Sequence, residues 1–86
     1  MPDEMFVHIT PSHGFRYTEF GIGFKLGNMG GYTFARTSED VASRIIDYAR
    51  EERPSRISIT AQWPYPTDEL PVVKELVHEA TGVEVR

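Results

Sequence analysis

The sequence has no cysteine, and its cations are few: 9 Lys and Arg stand against 13 Asp and Glu, for a formal charge of −4 and a pI near 5.2. The missing thiol excludes disulfide staples, thiolate metal sites and cysteine nucleophiles, and it fits a reducing compartment. No run approaches the roughly 18 to 20 apolar residues that cross a bilayer. The opening Met1-Pro2-Asp3-Glu4 is acidic and leads into only a short apolar stretch, so neither a secretory leader nor a membrane partner is expected. The expected location is cytoplasmic. Binding to a phosphate backbone draws on clustered Lys and Arg that release counterions, so this charge balance disfavours nucleic acid as a partner.

What is present is enough for a folded chain: 86 residues, 40% hydrophobic and 12% aromatic. Burial on that scale offsets conformational entropy, and the length fits a single small α/β domain over residues 1–86. Met5, Val7 and Ile9 alternate with Phe6, His8 and Thr10, the period of a strand. Thr10-Pro11-Ser12-His13-Gly14 reads as a hairpin loop, followed by a second strand over residues 15–26 whose two halves differ in phase. A bulge near Thr18 or Glu19 would reconcile them. Gly27-Asn28-Met29-Gly30-Gly31 is a turn signal, and Tyr32 to Arg36 resumes as a third strand.

Thr37 or Ser38 then offers a cap for a helix over 38–52, with Val41, Ile45, Tyr48 and Ala49 on one stripe and Pro54 ending it. Arg56 to Trp63 alternates as a fourth strand, and Asp68 caps a second helix over 68–81 that Gly82 terminates. Val83-Glu84-Val85 is a short last strand. The order β-β-β-α-β-α-β, with right-handed crossovers, predicts a two-layer α/β sandwich: a mixed sheet of four or five strands with both helices on one face. The predicted core is Val7, Ile9, Phe20, Ile22, Phe24, Phe34, Val41, Ile45, Ile57, Ile59, Val73, Leu76 and Val77. The far side of the sheet would carry His8, Thr10, Lys25, Ser58, Thr60 and Gln62.

Few residues point to chemistry. The glycine-rich turn has no Gly-Lys-Ser/Thr signature and leads into a strand, so it is a hairpin turn and no phosphate loop. His8, His13 and His78 form no pair with zinc spacing, and no metal or cofactor is expected. Ser12 beside His13 lacks an orienting carboxylate, and the acidic residues scatter along helix faces, so no catalytic residue is assigned. The least ordinary segment is Gln62-Trp63-Pro64-Tyr65-Pro66, two aromatics stiffened by prolines beyond a strand's carboxyl end, where open α/β sheets bind ligands. Its plainer role is a loop in which Trp63 plugs the core.

Gln62, Trp63, Tyr65, His8 and His13 are the candidate binding residues. The aromatic and basic pattern of sheets that bind single-stranded RNA is not evident. The function expected from sequence is therefore a non-enzymatic binding or regulatory module acting on another macromolecule, an inhibitor of the phage or mobile-element kind being one form. A protein is the expected partner, and open sheet edges make a second copy of the chain another candidate. The alternative is a small-ligand-binding protein or enzyme using the His8/His13 and Trp63/Tyr65 regions.

Overall fold

The computed structural model describes residues 3–11, 20–63 and 65–86. The elements are β1 (Glu4–Pro11), β2 (Phe20–Leu26), β3 (Met29–Ala35), α1 (Ser38–Glu52), β4 (Arg56–Ala61), α2 (Leu70–Thr81) and β5 (Glu84–Val85). This is the predicted β-β-β-α-β-α-β order. The five strands lie in the order β3-β2-β1-β4-β5. Antiparallel pairs join β1 to β2 and β2 to β3, while β1 with β4 and β4 with β5 run parallel, so the sheet is mixed.

Alternation decides which side is buried. Met5, Val7 and Ile9 face the same way as their partners Leu26, Phe24 and Ile22 on β2 and Ile57 and Ile59 on β4, and all are buried. Val41, Ile45 and Ala49 of α1 and Val73 and Val77 of α2 complete that core, so both helices cover one face. The Tyr48 ring of α1 stacks on Phe24 at 4.3 Å between centroids, above Gly31, where a Cβ would come within 3.4 Å of it. No helix among the described residues is long and apolar enough to cross a membrane.

Local chemistry sets the element ends. Thr37 caps α1 by accepting from the Asp40 amide at 3.1 Å, and Glu39 and Asp40 lie at the positive end of the helix dipole. The helix ends at Arg53 in the left-handed region, φ 52° and ψ 57°, one residue before Pro54. Gly82, φ 72°, ends α2 as predicted. Leu26 pairs with Met29, so only Gly27 and Asn28 form the hairpin turn, and the positive φ of 59° falls on Gly27.

Several expectations need correcting. Phe34 is 51% exposed and outside the core, since β3 buries Ala35 and pairs Phe34 with Gly21 on the opposite face. Two glycines left that strand without an alternation from which to read its phase. Leu76 lies at the rim of the core, 36% exposed. The second helix begins at Leu70 with Glu69 at its cap, two residues after the predicted start, and β4 ends at Ala61, short of Trp63. Met5 and Tyr65 join the core unpredicted. Thr10 and Pro11, expected in the first loop, extend β1 by pairing with Gly21 and Phe20, while the rest of that loop, the first half of the second strand and the bulge near Thr18 and Glu19 lie outside the described residues.

Candidate functional site

With both helices on one side, no described helix or strand covers the other side of the sheet. The register lays its residues out in rows. One row runs Tyr32, Gly23, His8 and Thr60, the next Gly30, Lys25, Phe6 and Ser58, while Phe34, Gly21 and Thr10 form a third. Phe6, Tyr32 and Phe34 are each more than half exposed. A shallow depression of about 360 Å³ lies among Phe6, His8, Gly23, Lys25, Ser58 and Thr60.

Tyr32 lies along β2 and over its glycines. A Cβ built on Gly21 would overlap the Tyr32 hydroxyl and stand 2.7 Å from its Cζ, whereas one on Gly23 would meet the ring at an ordinary 3.7 Å. The hydroxyl reaches Thr10 Oγ1 at 3.4 Å, and the Phe34 ring stands edge-on to Tyr32 with centroids 5.2 Å apart. The close approach of a side chain to the Gly21 and Gly23 backbone, which alternating glycines suggest, is thus made by Tyr32.

The polar groups on this face are ordered as well. Thr60 Oγ1 is hydrogen-bonded to His8 Nδ1 at 2.7 Å and lies 3.4 Å from the Val7 carbonyl. That leaves His8 Nε2 without a partner among the described residues. Glu84 on the edge strand β5 and Glu4 at the start of the central strand β1 flank Arg56, at 2.6 and 3.8 Å. Lys25, between Phe6 and the turn, has no ion pair with any described residue. Most of the acid lies in the other layer, including Glu39, Asp40, Asp47, Glu51 and Glu52 on α1 and Glu75 and Glu79 on α2.

The residues singled out from sequence are distributed over three places. His8 is on the uncovered face, exposed. Gln62 and Trp63 lie beyond β4, where the Gln62 amide continues the ladder to the Ile9 carbonyl at 2.8 Å and Trp63 is 84% exposed. Tyr65 is only 3% exposed, so it, and not Trp63, closes the end of the core, edge-on to Phe20 at 5.0 Å. Its hydroxyl donates to Ser38 Oγ at 2.7 Å, which donates in turn to Glu69 Oε1 at 2.5 Å, tying the N-termini of the two helices together. Burial pushes the Tyr65 phenol above its ordinary pKa; the Ser38 bond acts against this and the Glu69 carboxylate adds to it.

His13 lies outside the described residues. His78 contacts the Val83 carbonyl through Nδ1 at 2.7 Å, at the end of α2. Among the described residues no three His, Asp or Glu side chains are grouped to hold a metal ion. Sequence reasoning missed Tyr32 and Phe34 as surface groups. Gly21 and Gly23 were the available signal, because they marked a face with room above it.

No protein-family model and no curated protein matches the sequence. Among solved structures the chain resembles Thermus thermophilus RuvC, at 16% identity and a TM-score of 0.53 over 94% of this chain and 61% of that one. It also resembles T. thermophilus RuvC in complex with Holliday junction substrate, at 17% identity and a TM-score of 0.47 over 95% of this chain and 62% of that one. The chain thus spans about three-fifths of the RuvC chains it resembles. At this identity the likeness is one of fold.

The likeness of fold to RuvC overturns two expectations drawn from composition: the non-enzymatic module with a protein as its partner, and nucleic acid as a disfavoured partner. The physical reason is that net charge averages over a whole surface. Here the acid is concentrated on the helical layer, and the aromatic residues that the sequence reading placed in the core or left unplaced stand on the opposite face. The two regions of the small-ligand alternative stand apart among the described residues: the depression beside His8 and the one lined by Trp63 and Tyr65 are separate.

Proposed function

We propose that this chain is a nucleic-acid-binding domain whose contact surface is the uncovered face of the sheet. The observation that carries the reading is the composition of that face: Phe6, Tyr32 and Phe34 exposed around Lys25 and His8, with the carboxylates Glu4 and Glu84 each paired to Arg56 at one end of the strands. Aromatic rings on a sheet present flat surfaces on which bases stack, and a cation set among them meets the phosphates between those bases. RuvC, whose fold the chain shares, is a protein recorded with a Holliday junction substrate, which agrees with this class of partner.

So few cations make a weakly salt-dependent complex. If Z phosphates are neutralised, log K falls with log salt at about −0.7Z for a single strand, and Z here is on the order of one to three. Fluorescence anisotropy of labelled single-stranded, duplex and four-way oligonucleotides tests the reading. Saturable binding to at least one of them, with that shallow salt slope, is the expected result. Absence of binding to all of them at low salt would overturn it.

A further inference from the structure

We infer that the uncovered face takes an unpaired strand, that one base stacks flat on the outer side of Tyr32, and that Gly21 is the positioning residue that keeps this ring down. The inference rests on the nucleic-acid reading and narrows it to one class of substrate. Its basis is the orientation of the ring. Tyr32 lies along β2, with its hydroxyl at Gly21 and Thr10 and its ring edge above Gly23, so one side of the ring is against backbone and the other faces outward. Phe34 stands nearly perpendicular beside it with centroids 5.2 Å apart, and Tyr32 stays 61% exposed. A ring fixed in this way loses little further freedom when a base settles on it.

Phe6 is two strands away on β1 and one row along, roughly 12 Å from Tyr32 by strand spacing and residue rise. Lys25 lies in the Phe6 row and His8 in the Tyr32 row, so cationic and hydrogen-bonding groups fall between the two rings. Bases separated by that distance belong to an extended strand, because in a duplex successive bases stack about 3.4 Å apart and their flat sides are not accessible. The face is also too broad for a groove. The axes of β3 and β1 are already roughly 10 Å apart before side chains are added, and the major groove is about 12 Å wide. Charge agrees with the choice, since on this side Lys25, Arg56 and Arg86 stand against only Glu4 and Glu84, while the helical layer holds most of the acid.

Anisotropy titrations with three labelled probes of equal length test the inference: a single strand, the same strand with abasic sugars at its centre, and a duplex. The single strand is expected to bind at least about tenfold tighter than the other two, the scale of one stacked base. Gly21→Ala is expected to abolish that preference by displacing the ring, and Gly23→Ala, whose Cβ has room, to keep it. Tyr32→Phe should keep the preference and Tyr32→Ala should lose it. If a thermal melt shows that Gly21→Ala does not fold, Tyr32→Leu supplies the same readout.

Equal binding of the three probes would overturn the inference while leaving the nucleic-acid reading standing, since phosphate contact alone would then explain the affinity. Binding to none would remove both. Retention of the preference in Gly21→Ala or in Tyr32→Leu would overturn the assignment of Tyr32 as the platform. A protein dimer in light scattering that Phe6→Glu dissolves would show a second copy on this face and would also overturn it.

Discussion

Tyr65 shows how one side chain couples the core to the helix ends. Its ring fills the space beside Phe20, and its hydroxyl begins the chain through Ser38 to Glu69. Because burial raises its pKa above the usual value of about 10, the folded state holds the phenol proton more tightly than the unfolded one. The stability this contributes is complete below the unfolded pKa and is lost as pH rises from about 10 through the folded pKa. Urea midpoints measured from pH 8 upward should therefore fall above pH 10, and Tyr65→Phe should flatten that fall at a cost of about 1 kcal/mol at neutral pH for the lost hydrogen bond. In the sequence Trp63 and Tyr65 are equivalent, each an aromatic beside a proline. What separates them is the turn in which the Tyr65 amide bonds the Gln62 carbonyl at 3.0 Å, a contact that no periodicity announces.

Among the elements, the helices and the central strands were the legible ones, since each repeats its burial pattern over several turns or residue pairs. Ser38–Glu52 coincides with its predicted range because Thr37, the acidic first turn and Pro54 all mark ends. The same helix carries a local cost, for Arg53 occupies a conformation that suits glycine. Arg53→Gly is expected to raise stability by up to about 1 kcal/mol in chemical denaturation, the strain relieved exceeding the added entropy of the unfolded chain. Core substitutions should divide by burial. Ile59→Ala, at a site 2% exposed in β4, should cost roughly 2 to 5 kcal/mol, and Leu76→Ala, at the rim of α2, clearly less. The strand β3 was the illegible element: Met29, Gly30 and Gly31 give it no polarity pattern, and its facing is fixed only by pairing with β2.

At the scale of the whole molecule, the two layers differ in charge more than the sum suggests. Lys25 and Lys74 contribute equally to the net charge of −4, yet one is on the uncovered face and the other on α2. Reversing each in turn separates a local field from an overall one. Lys25→Glu should weaken oligonucleotide binding about tenfold or more, as expected when a desolvated contact charge is reversed, and Lys74→Glu should change it little. Anisotropy at one fixed salt concentration reads both. The layer architecture could be read from the order of elements and their alternation. The character of the open face could not, because it depends on cross-strand neighbours from β1, β2 and β3 that sequence separation conceals.

The central position of β1 has a consequence for how the chain reaches this state. Its antiparallel partner β2 is near in sequence, but its parallel partner β4 follows some fifty residues later, as the His8 to Thr60 separation of 52 shows. The β2-β3 hairpin closes through two residues and can form in roughly microseconds. The β1-β4 ladder must first close a long loop, whose entropic cost is met before any of its contacts are gained. Refolding in stopped flow is therefore expected on a scale of milliseconds or longer, with the β2-β3 hairpin and α1 ordered ahead of the seam between β1 and β4. Until that seam closes, β1 exposes one unpaired edge, and it is during this interval that the chain is most prone to associate with other copies of itself.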